Sequence, residues 1–377
     1  VIQKTDNNRE ICMVESTHQL EKCISAAGCE TEIAVDLEAD SLHHYKDRVC
    51  LVQVSTSECD WIVDPQADMD LSSFWRLLES PEILHIFHDA DFDIRSLDRD
   101  FKIRVRNIFD TKIAAELLGW RQLGLSSILN SLLGVRLSKK FQKYSWSRRP
   151  LNPDAVVYAA MDTRYLSAIK AHFLVELTRM NRMSWAQEEF RYLETYRWRP
   201  SRRERLTYWN VTGVGSLRPR QMELMRRLWH IREKEARRRD VPVFKVFSDR
   251  DMLGIAAEGF EVTCLEDLLV RWRIPPRLEK PVRRAVTAAA TIPENQCPAP
   301  PAELTVGEPR VNTARFQELK IARDDAASRL GLDPGVIAGN RTLKAIASLP
   351  DPESATFSRL KRVIPLRRWQ ADLLNIS

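Results

Sequence analysis

The spacing of apolar and polar positions divides the chain into two halves of different character. Up to about residue 180, short β-branched runs alternate with helical periodicity. Residues 33–38 form an apolar run broken by two acids, and the runs 49–54 and 61–64 follow with turn-forming residues between them. Three such runs in close succession predict an antiparallel meander. A helix is expected over 71–78, a strand over 83–87 and a helix opening near Ala90. Further helices are expected over 113–118, 126–133 and 154–177. Strands interleaved with helices give an α/β domain with a mixed sheet. Beyond about Met180 the strand-like runs nearly vanish. The stretch 218–239 reads as one long basic helix whose buried face is Met222, Leu224, Leu228, Trp229 and Ile231. Prolines 293, 298, 300, 301 and 309 cannot continue a helix and mark an extended linker. Short helices are expected again over 316–330, near 343–349 and over 366–374. The resulting division is 1–180, a connector 181–211, a helical domain 212–290, the linker 291–311 and a second helical domain 312–377.

Composition narrows the class. A chain of 377 residues, 44% hydrophobic, is long enough for two or three domains that each bury a core. Only 12 Gly, 19 Pro and 7 Cys exclude low-complexity, collagen-like and disulfide-scaffold chains. The cysteines are odd in number and none has Cys-x-x-Cys spacing, so the expectation is reduced thiols in a cytoplasmic protein. No apolar stretch is long enough to span a membrane, no secretory signal is visible at the N-terminus, and no small-molecule cofactor is expected. The formal charge of +6 conceals an asymmetry: residues 1–178 carry a net −6 and residues 179–377 a net +12. That split suggests a cation-holding front and a polyanion-holding back.

Three short motifs carry candidate chemistry. Asp36 and Glu38 lie two apart on a strand, so their carboxylates share a face. Burying both is costly unless a cation balances them. The segment His88-Asp89-Ala90-Asp91-Phe92-Asp93 directly follows a strand and sets a carboxylate in the first turn of a helix; helix capping alone also explains acids there. Tyr158 and Asp162, at i and i+4, place a phenol and a carboxylate on one helical face.

In this order and at these separations, the motifs resemble the DEDDy family of 3′→5′ exonucleases. The run Val49-Cys50-Leu51-Val52-Gln53-Val54, the triplet Phe109-Asp110-Thr111 and the segment Trp146-Ser147-Arg148-Arg149-Pro150-Leu151 are similar to that family's flanking signatures. The stretches 228–237 and 242–246 resemble an HRDC module, residues 313–374 more loosely a second one, and the whole arrangement resembles the bacterial ribonuclease D family. Ser145 stands where that family often has an acid, and Leu37 where Thr is common; neither is an expected metal ligand. The resemblance implies a ribonuclease H-like α/β exonuclease domain with a mixed sheet, followed by two small all-α HRDC-like domains. It implies two divalent ions, Mg²⁺ or Mn²⁺, on Asp36, Glu38, Asp93 and Asp162, with Tyr158 orienting the attacking water. Asp93 is preferred to Asp89 and Asp91 because an aliphatic residue follows it within a helix. It further implies release of nucleoside 5′-monophosphates from RNA with a free 3′ end, tRNA precursors among them, by a monomer. Hard oxygen donors suit such ions.

The basic half carries arginines interleaved with aromatic residues, the pattern that neutralises phosphates and stacks on unpaired bases. The residues singled out for nucleic-acid contact are Gln53, His88, Trp146, Arg149, Arg197, Trp198, Arg199, Arg202 and Arg203. Two rival readings remain at this point: a DNA-directed exonuclease of the same superfamily, and a catalytically weak RNA-binding scaffold.

Overall fold

The computed structural model describes residues 9–200, 202–260, 265–301, 304, 310–349 and 356–376. They form two compact units. The first is built on a six-stranded sheet. Its N-terminal part runs β1 (Glu10–Val14), α1 (Thr17–Gly28), β2 (Glu32–Ala39), β3 (Val49–Ser55), β4 (Cys59–Val63), α2 (Ser72–Leu78), β5 (Leu84–Phe87), α3 (Asp91–Phe101), β6 (Ile108–Asp110), α4 (Thr111–Leu117), α5 (Leu125–Leu133), α6 (Pro153–Arg164), α7 (Leu166–Arg179) and α8 (Met183–Leu193).

The strand order is β1-β4-β3-β2-β5-β6. The expected meander β2-β3-β4 is antiparallel, whereas β1 pairs parallel with β4, β5 with β2 and β6 with β5. The sheet is therefore mixed. All seven residues of β3 are buried, as a central strand covered on both faces requires. One face packs Val35, Val52, Phe74, Phe87 and Leu97; the other, over β3 and β4, packs Leu51, Ile62, Trp146, Ala155 and Ala159 beneath α6.

The helix expected over 154–177 is two helices. Tyr165 leaves helical geometry at φ −107°, directly after Arg164 ties down to Asp60 on β4 through Nε at 2.6 Å. Asp60 also accepts from Ser55 Oγ at 2.5 Å, and Ser55 in turn meets Thr163 Oγ1 at 2.7 Å. This buried polar network fixes the C-terminal end of α6 on the sheet, so the helix cannot run straight into α7.

The second unit comprises residues 40–47 and 199–308. Its helices are α9 (Arg202–Leu206), α10 (Pro219–Arg239), α11 (Asp249–Glu258), α12 (Leu265–Arg271) and α13 (Pro276–Thr291). The long basic helix buries Met222, Leu224, Leu228 and Trp229 as the pattern predicts, adds Met225, which the pattern did not single out, and leaves Ile231 half-buried at the margin. Arg232 is fully buried beneath them, 4.4 Å from the centre of the Trp229 ring and bonded to Asp249 at 2.7 Å.

The remaining helices, α14 (Thr313–Leu330), α15 (Pro334–Ile337), α16 (Asn340–Ala347), α17 (Phe357–Leu360) and α18 (Arg368–Leu373), belong to the first unit. Sequence pattern alone treats this segment as a module of its own. In the structure Leu319, Leu343 and Trp369 share one core with Ile169, Phe173 and Phe190. Trp369 stacks on Trp185 at 5.0 Å and donates from Nε1 to Glu189 at 3.0 Å. Arg367 pairs with the same carboxylate at 2.6 Å, and Arg182 donates to the backbone carbonyls of Leu117 and Leu330, each at 2.6 Å.

Replacing Trp369 with Ala empties a site that is only 4% exposed and removes the Glu189 bond. Loss of about 3–5 kcal/mol is expected for such a truncation. At roughly 2 °C per kcal/mol for a unit this large, thermal scanning should find the midpoint lowered by about 6 °C or more. An unchanged midpoint would show that α18 does not belong to this core.

Candidate active site

Three elements bring the acidic motifs together. β2 supplies Asp36 and Glu38 from one face of the central strand, α3 supplies Asp93 from its first turn, and α6 supplies Tyr158 and Asp162 one turn apart. Asp36 and Glu38 are half-buried, as are Tyr158 and Asp162, while Asp93 is only 6% exposed. Burial raises the Asp36 carboxyl well above its ordinary range, and the charges of Asp93, Asp162 and Glu38 push it further the same way. Glu38 is raised by burial and then by Asp162 and Asp93. Asp93 is raised by burial, with Asp110 and Asp89 adding to it, and burial pushes Asp162 up to about 7. No Lys or Arg among the described residues offsets any of these shifts.

The choice among the three acids of the second motif is a matter of surroundings. Asp89 and Asp91 are exposed and paired, with Lys112 at 2.7 Å and with Arg95 respectively. Asp93 points inward and acts on the charges of both Asp36 and Glu38. The turn that aims it is held by Asp110. This buried carboxylate accepts from the backbone N–H groups of Ala90 at 2.7 Å and Asp89 at 3.2 Å, and it caps α4 through Lys112 at 2.8 Å and Ile113 at 3.1 Å. Asp89 sits at φ +67°, a left-handed conformation that a short acidic side chain tolerates better than most. Thr111 adds a bond from its hydroxyl to the Phe87 carbonyl at 3.0 Å. The triplet 109–111 thus serves the second motif as its mount.

Tyr158 keeps its proton. Burial raises its phenol above the ordinary range, and the charges of Asp162, Glu38 and Asp36 act in the same direction. It can donate a hydrogen bond and cannot serve as a base near neutral pH. The His88 imidazole is lowered to about 4, chiefly by burial, and lies 2.9 Å from Thr111 Oγ1. It is a neutral packing group within the same turn.

The nucleic-acid contacts read from the sequence fare unevenly. Gln53 and Trp146 are buried, at 0% and 2% exposure, so neither presents a surface to a polymer. Both are corrected to interior roles. Gln53 sits opposite Asp36 in the antiparallel ladder, and Trp146 packs against Tyr144 and Tyr158. Arg149 is committed to Asp64 at 2.5 Å and to the carbonyls of Trp146 and Cys50. Arg197 donates to the carbonyls of Glu194 and Tyr196. Trp198 and Arg199 are exposed. The side chains of Arg202 and Arg203 lie outside the described residues.

The site also opens on a cleft that the sequence reading missed. A cavity of about 540 Å³ is bounded by Tyr158 and Asp162 on one side and by Arg136, Lys140 and Phe141 on the other. The loop 134–141 carries no acidic motif and no periodicity, so only its cationic residues could have drawn attention to it.

Among the described residues no group of three or more His, Cys, Asp or Glu side chains stands close enough to hold a metal ion as placed. Four uncompensated carboxylates repel one another. The donor set nonetheless fits hard divalent cations: every candidate ligand is a carboxylate, none is paired with a base, and burial disfavours their charged forms. Gln53 adds a second sign. Both polar atoms of its buried side chain lack a partner among the described residues, beside the cross-strand position of Asp36. Such unmet capacity is rare in native interiors and suits the hydration shell of an ion.

Comparison with known proteins shows what the two domains resemble. A family model described as a 3′-5′ exonuclease matches residues 11–178, and one described as an HRDC domain matches residues 221–259. A ribonuclease D of Granulibacter bethesdensis is 26% identical over 341 residues, covering 88% of this chain and 85% of that one. The catalytic core of RRP6 from Trypanosoma brucei superposes with a TM-score of 0.66 at 27% identity, over 75% of this chain and 79% of that one. The RNase D of Escherichia coli superposes with a TM-score of 0.69 over 98% of this chain and 99% of that one; at 23% identity this likeness speaks for the fold alone.

Neutralising one member of the acidic cluster should relieve the others. Asp36→Asn is expected to raise the thermal midpoint in metal-free buffer, because it removes mutual repulsion. It should also abolish the rise in midpoint expected of the unaltered chain in millimolar Mg²⁺, where binding would favour the native state. Scanning both proteins with EDTA and with Mg²⁺ tests this. A full Mg²⁺ response in the variant would remove Asp36 from the ligand set.

Proposed function

We propose that the chain is a ribonuclease D-like 3′-5′ exonuclease, on the strength of its exonuclease and HRDC matches, and that it hydrolyses RNA one nucleotide at a time from a free 3′ end. The observation that carries this reading is the convergence of four unpaired carboxylates from β2, α3 and α6, with a protonated phenol one turn from one of them.

Asp36, Glu38, Asp93 and Asp162 would hold two divalent ions, Mg²⁺ or Mn²⁺. Bound there, the ions would supply a nucleophilic water at neutral pH and neutralise charge on the departing 3′ oxygen. The chain's own residues supply the alignment. Tyr158, held as a phenol, hydrogen-bonds the attacking water and fixes its line of approach. Asp110 keeps the turn before α3 from drifting, so that Asp93 meets the β2 acids. The buried bond of Arg164 to Asp60 does the same for α6. Products would be nucleoside 5′-monophosphates.

The substrate we assign is RNA with an unpaired 3′ tail, tRNA precursors included. The net +12 on residues 179–377 suits a polyanion of that kind. One chain carries all five residues of the site, so a monomer is sufficient. No helix of the described residues is long and apolar enough to cross a membrane, and the absence of a disulfide among the described cysteines suits a reducing cytoplasm.

With a single-stranded RNA oligomer and Mg²⁺ or Mn²⁺, chromatography should detect 5′-mononucleotides appearing from the 3′ end. Asp162→Ala is expected to lower kcat by roughly 1,000-fold or more. Tyr158→Phe should lower it about 10- to 100-fold with little change in KM. Full turnover by the Asp162 variant, or cleavage that persists in EDTA, would sink the assignment. A matched DNA oligomer run beside the RNA decides between the two polymers.

A further inference from the structure

The first turn of α3 carries Asp93 on one side and is gripped on the other. A helix turns about 100° per residue, so Asp91 and Arg95 both lie about 160° from Asp93 and share the opposite face. Their side chains pair with each other there. The Arg95 guanidinium also donates to the Arg197 carbonyl at 3.0 Å and lies 4.2 Å from the centre of the Tyr196 ring. Tyr196 meets Tyr192 of α8 edge to face, with ring centres 5.4 Å apart. The Arg367 guanidinium lies 4.1 Å from the centre of the Tyr192 ring. Glu189, about one turn back on α8, accepts from Arg367 Nε at 2.7 Å and from Trp369 Nε1 at 3.0 Å. The result is a continuous stack, Arg95–Tyr196–Tyr192–Arg367, that runs from the back of α3 to the residue before α18. Both tyrosines are half-buried and the Arg367 side chain is 16% exposed, a setting in which a cation holds an aromatic face more firmly than in open water.

An anchor at one end of a helix fixes its start and leaves its roll about its own axis to be set elsewhere. Asp110 supplies the anchor, through the turn before α3. The stack grips the back of the helix, and Asp98, about one turn after Arg95, adds to it by accepting from the Trp198 N–H at 2.7 Å. We propose that Arg95, Tyr196, Tyr192 and Arg367 are positioning residues for the exonuclease reaction. The stack sets the roll of α3 and with it the aim of Asp93, so Arg367 acts on the site without touching it. The proposal rests on the exonuclease reading for its effect on turnover, and not for its effect on α3. Two properties follow from the chemistry of the stack. It depends on ring faces rather than on phenol hydroxyls. Its members act in series, so losing one contact releases the helix as fully as losing two.

Amide hydrogen exchange over residues 94–97 of the full chain in EDTA reads α3 directly, with neither metal nor RNA present. Tyr196→Leu and Arg95→Ala should each speed that exchange about 5-fold or more, whereas Tyr196→Phe, which keeps the ring, should leave it within about twofold. In cleavage of a single-stranded RNA oligomer, Tyr196→Leu, Arg95→Ala and Arg367→Ala should each lower kcat about 10-fold and hold KM within about twofold. Each should also raise the Mg²⁺ concentration that gives half the maximal rate, which a mere loss of folded molecules would not do. Combining Arg95→Ala with Arg367→Ala should cost no more than about twofold beyond the worse single change. Leu343→Ala opens a cavity in the shared core and removes no group of the stack. It should lower the thermal midpoint, yet well below that midpoint leave kcat and the Mg²⁺ requirement within about twofold. Unaltered exchange in Tyr196→Leu and Arg95→Ala overturns the proposal. So do equal losses from Tyr196→Leu and Tyr196→Phe, additive losses in the double variant, or a Leu343→Ala enzyme as slow as the others. Where Arg367→Ala yields no folded protein, the Tyr196 pair and Arg95→Ala decide alone. If the unaltered chain cleaves RNA while exchange is unmoved, the exonuclease reading survives and the stack does not. If the unaltered chain fails to cleave but the variants speed exchange in α3, the stack stands and the nuclease reading falls.

Discussion

Like charges that must share a poorly solvated site are the constraint around which the first unit is organised. Two carboxylates about 4 Å apart repel by roughly 1 kcal/mol in water and by about 4 kcal/mol at the effective dielectric of a protein surface. Asp36, Glu38, Asp93 and Asp162 raise one another's carboxyls, and no Lys or Arg among the described residues offsets this. A site of this kind cannot be self-assembling. It is held open by the stability of whatever carries it, and each carrier is anchored by an interaction that has nothing to do with catalysis.

Those anchors share a form. Asp110 gathers four backbone N–H groups from two segments and locks the turn before α3. Asp60 receives Arg164 and Ser55, with Arg9 beyond at 3.4 Å, and locks the end of α6. β2 is locked by pairing on both sides, antiparallel to β3 and parallel to β5. In each case a buried acid or a strand edge has its hydrogen-bonding capacity met within the scaffold, which is the condition for burying polar groups at all. Asp36, Glu38, Asp93 and Asp162 differ from Asp60 and Asp110 in that no Lys or Arg among the described residues offsets their shifts.

This contrast explains what the sequence could reveal. The meander, α3 and the long basic helix were legible because apolar spacing is a local signal. Asp36 and Glu38 stood out because acids interrupt a strand that is otherwise apolar. Elements that lean on distant partners were not legible. β1 is a five-residue strand at the sheet's edge, β6 has three residues, and α1 buries only Leu20, Cys23 and Ala27. The break between α6 and α7 depends on Arg164 reaching a strand about a hundred residues away. Gln53 and Trp146 drew attention as polymer contacts because polarity and aromaticity look the same in sequence whether they face in or out. The attachment of residues 313–376 to the exonuclease unit was hidden for a similar reason. Trp185 and Trp369 each look like ordinary helix-face residues until they stack.

That attachment has a consequence for how the protein comes into being. Ile169 and Phe173 share their core with Leu319, Leu343 and Trp369, so the unit that carries the acidic site is finished only when residues 313–376 are in place. The scaffold of the acidic site therefore closes only after residues 313–376 have been made. A chain cut short by premature termination would leave Trp185 and Phe190 without their covering helices, and would present itself to proteases as an unfinished fold.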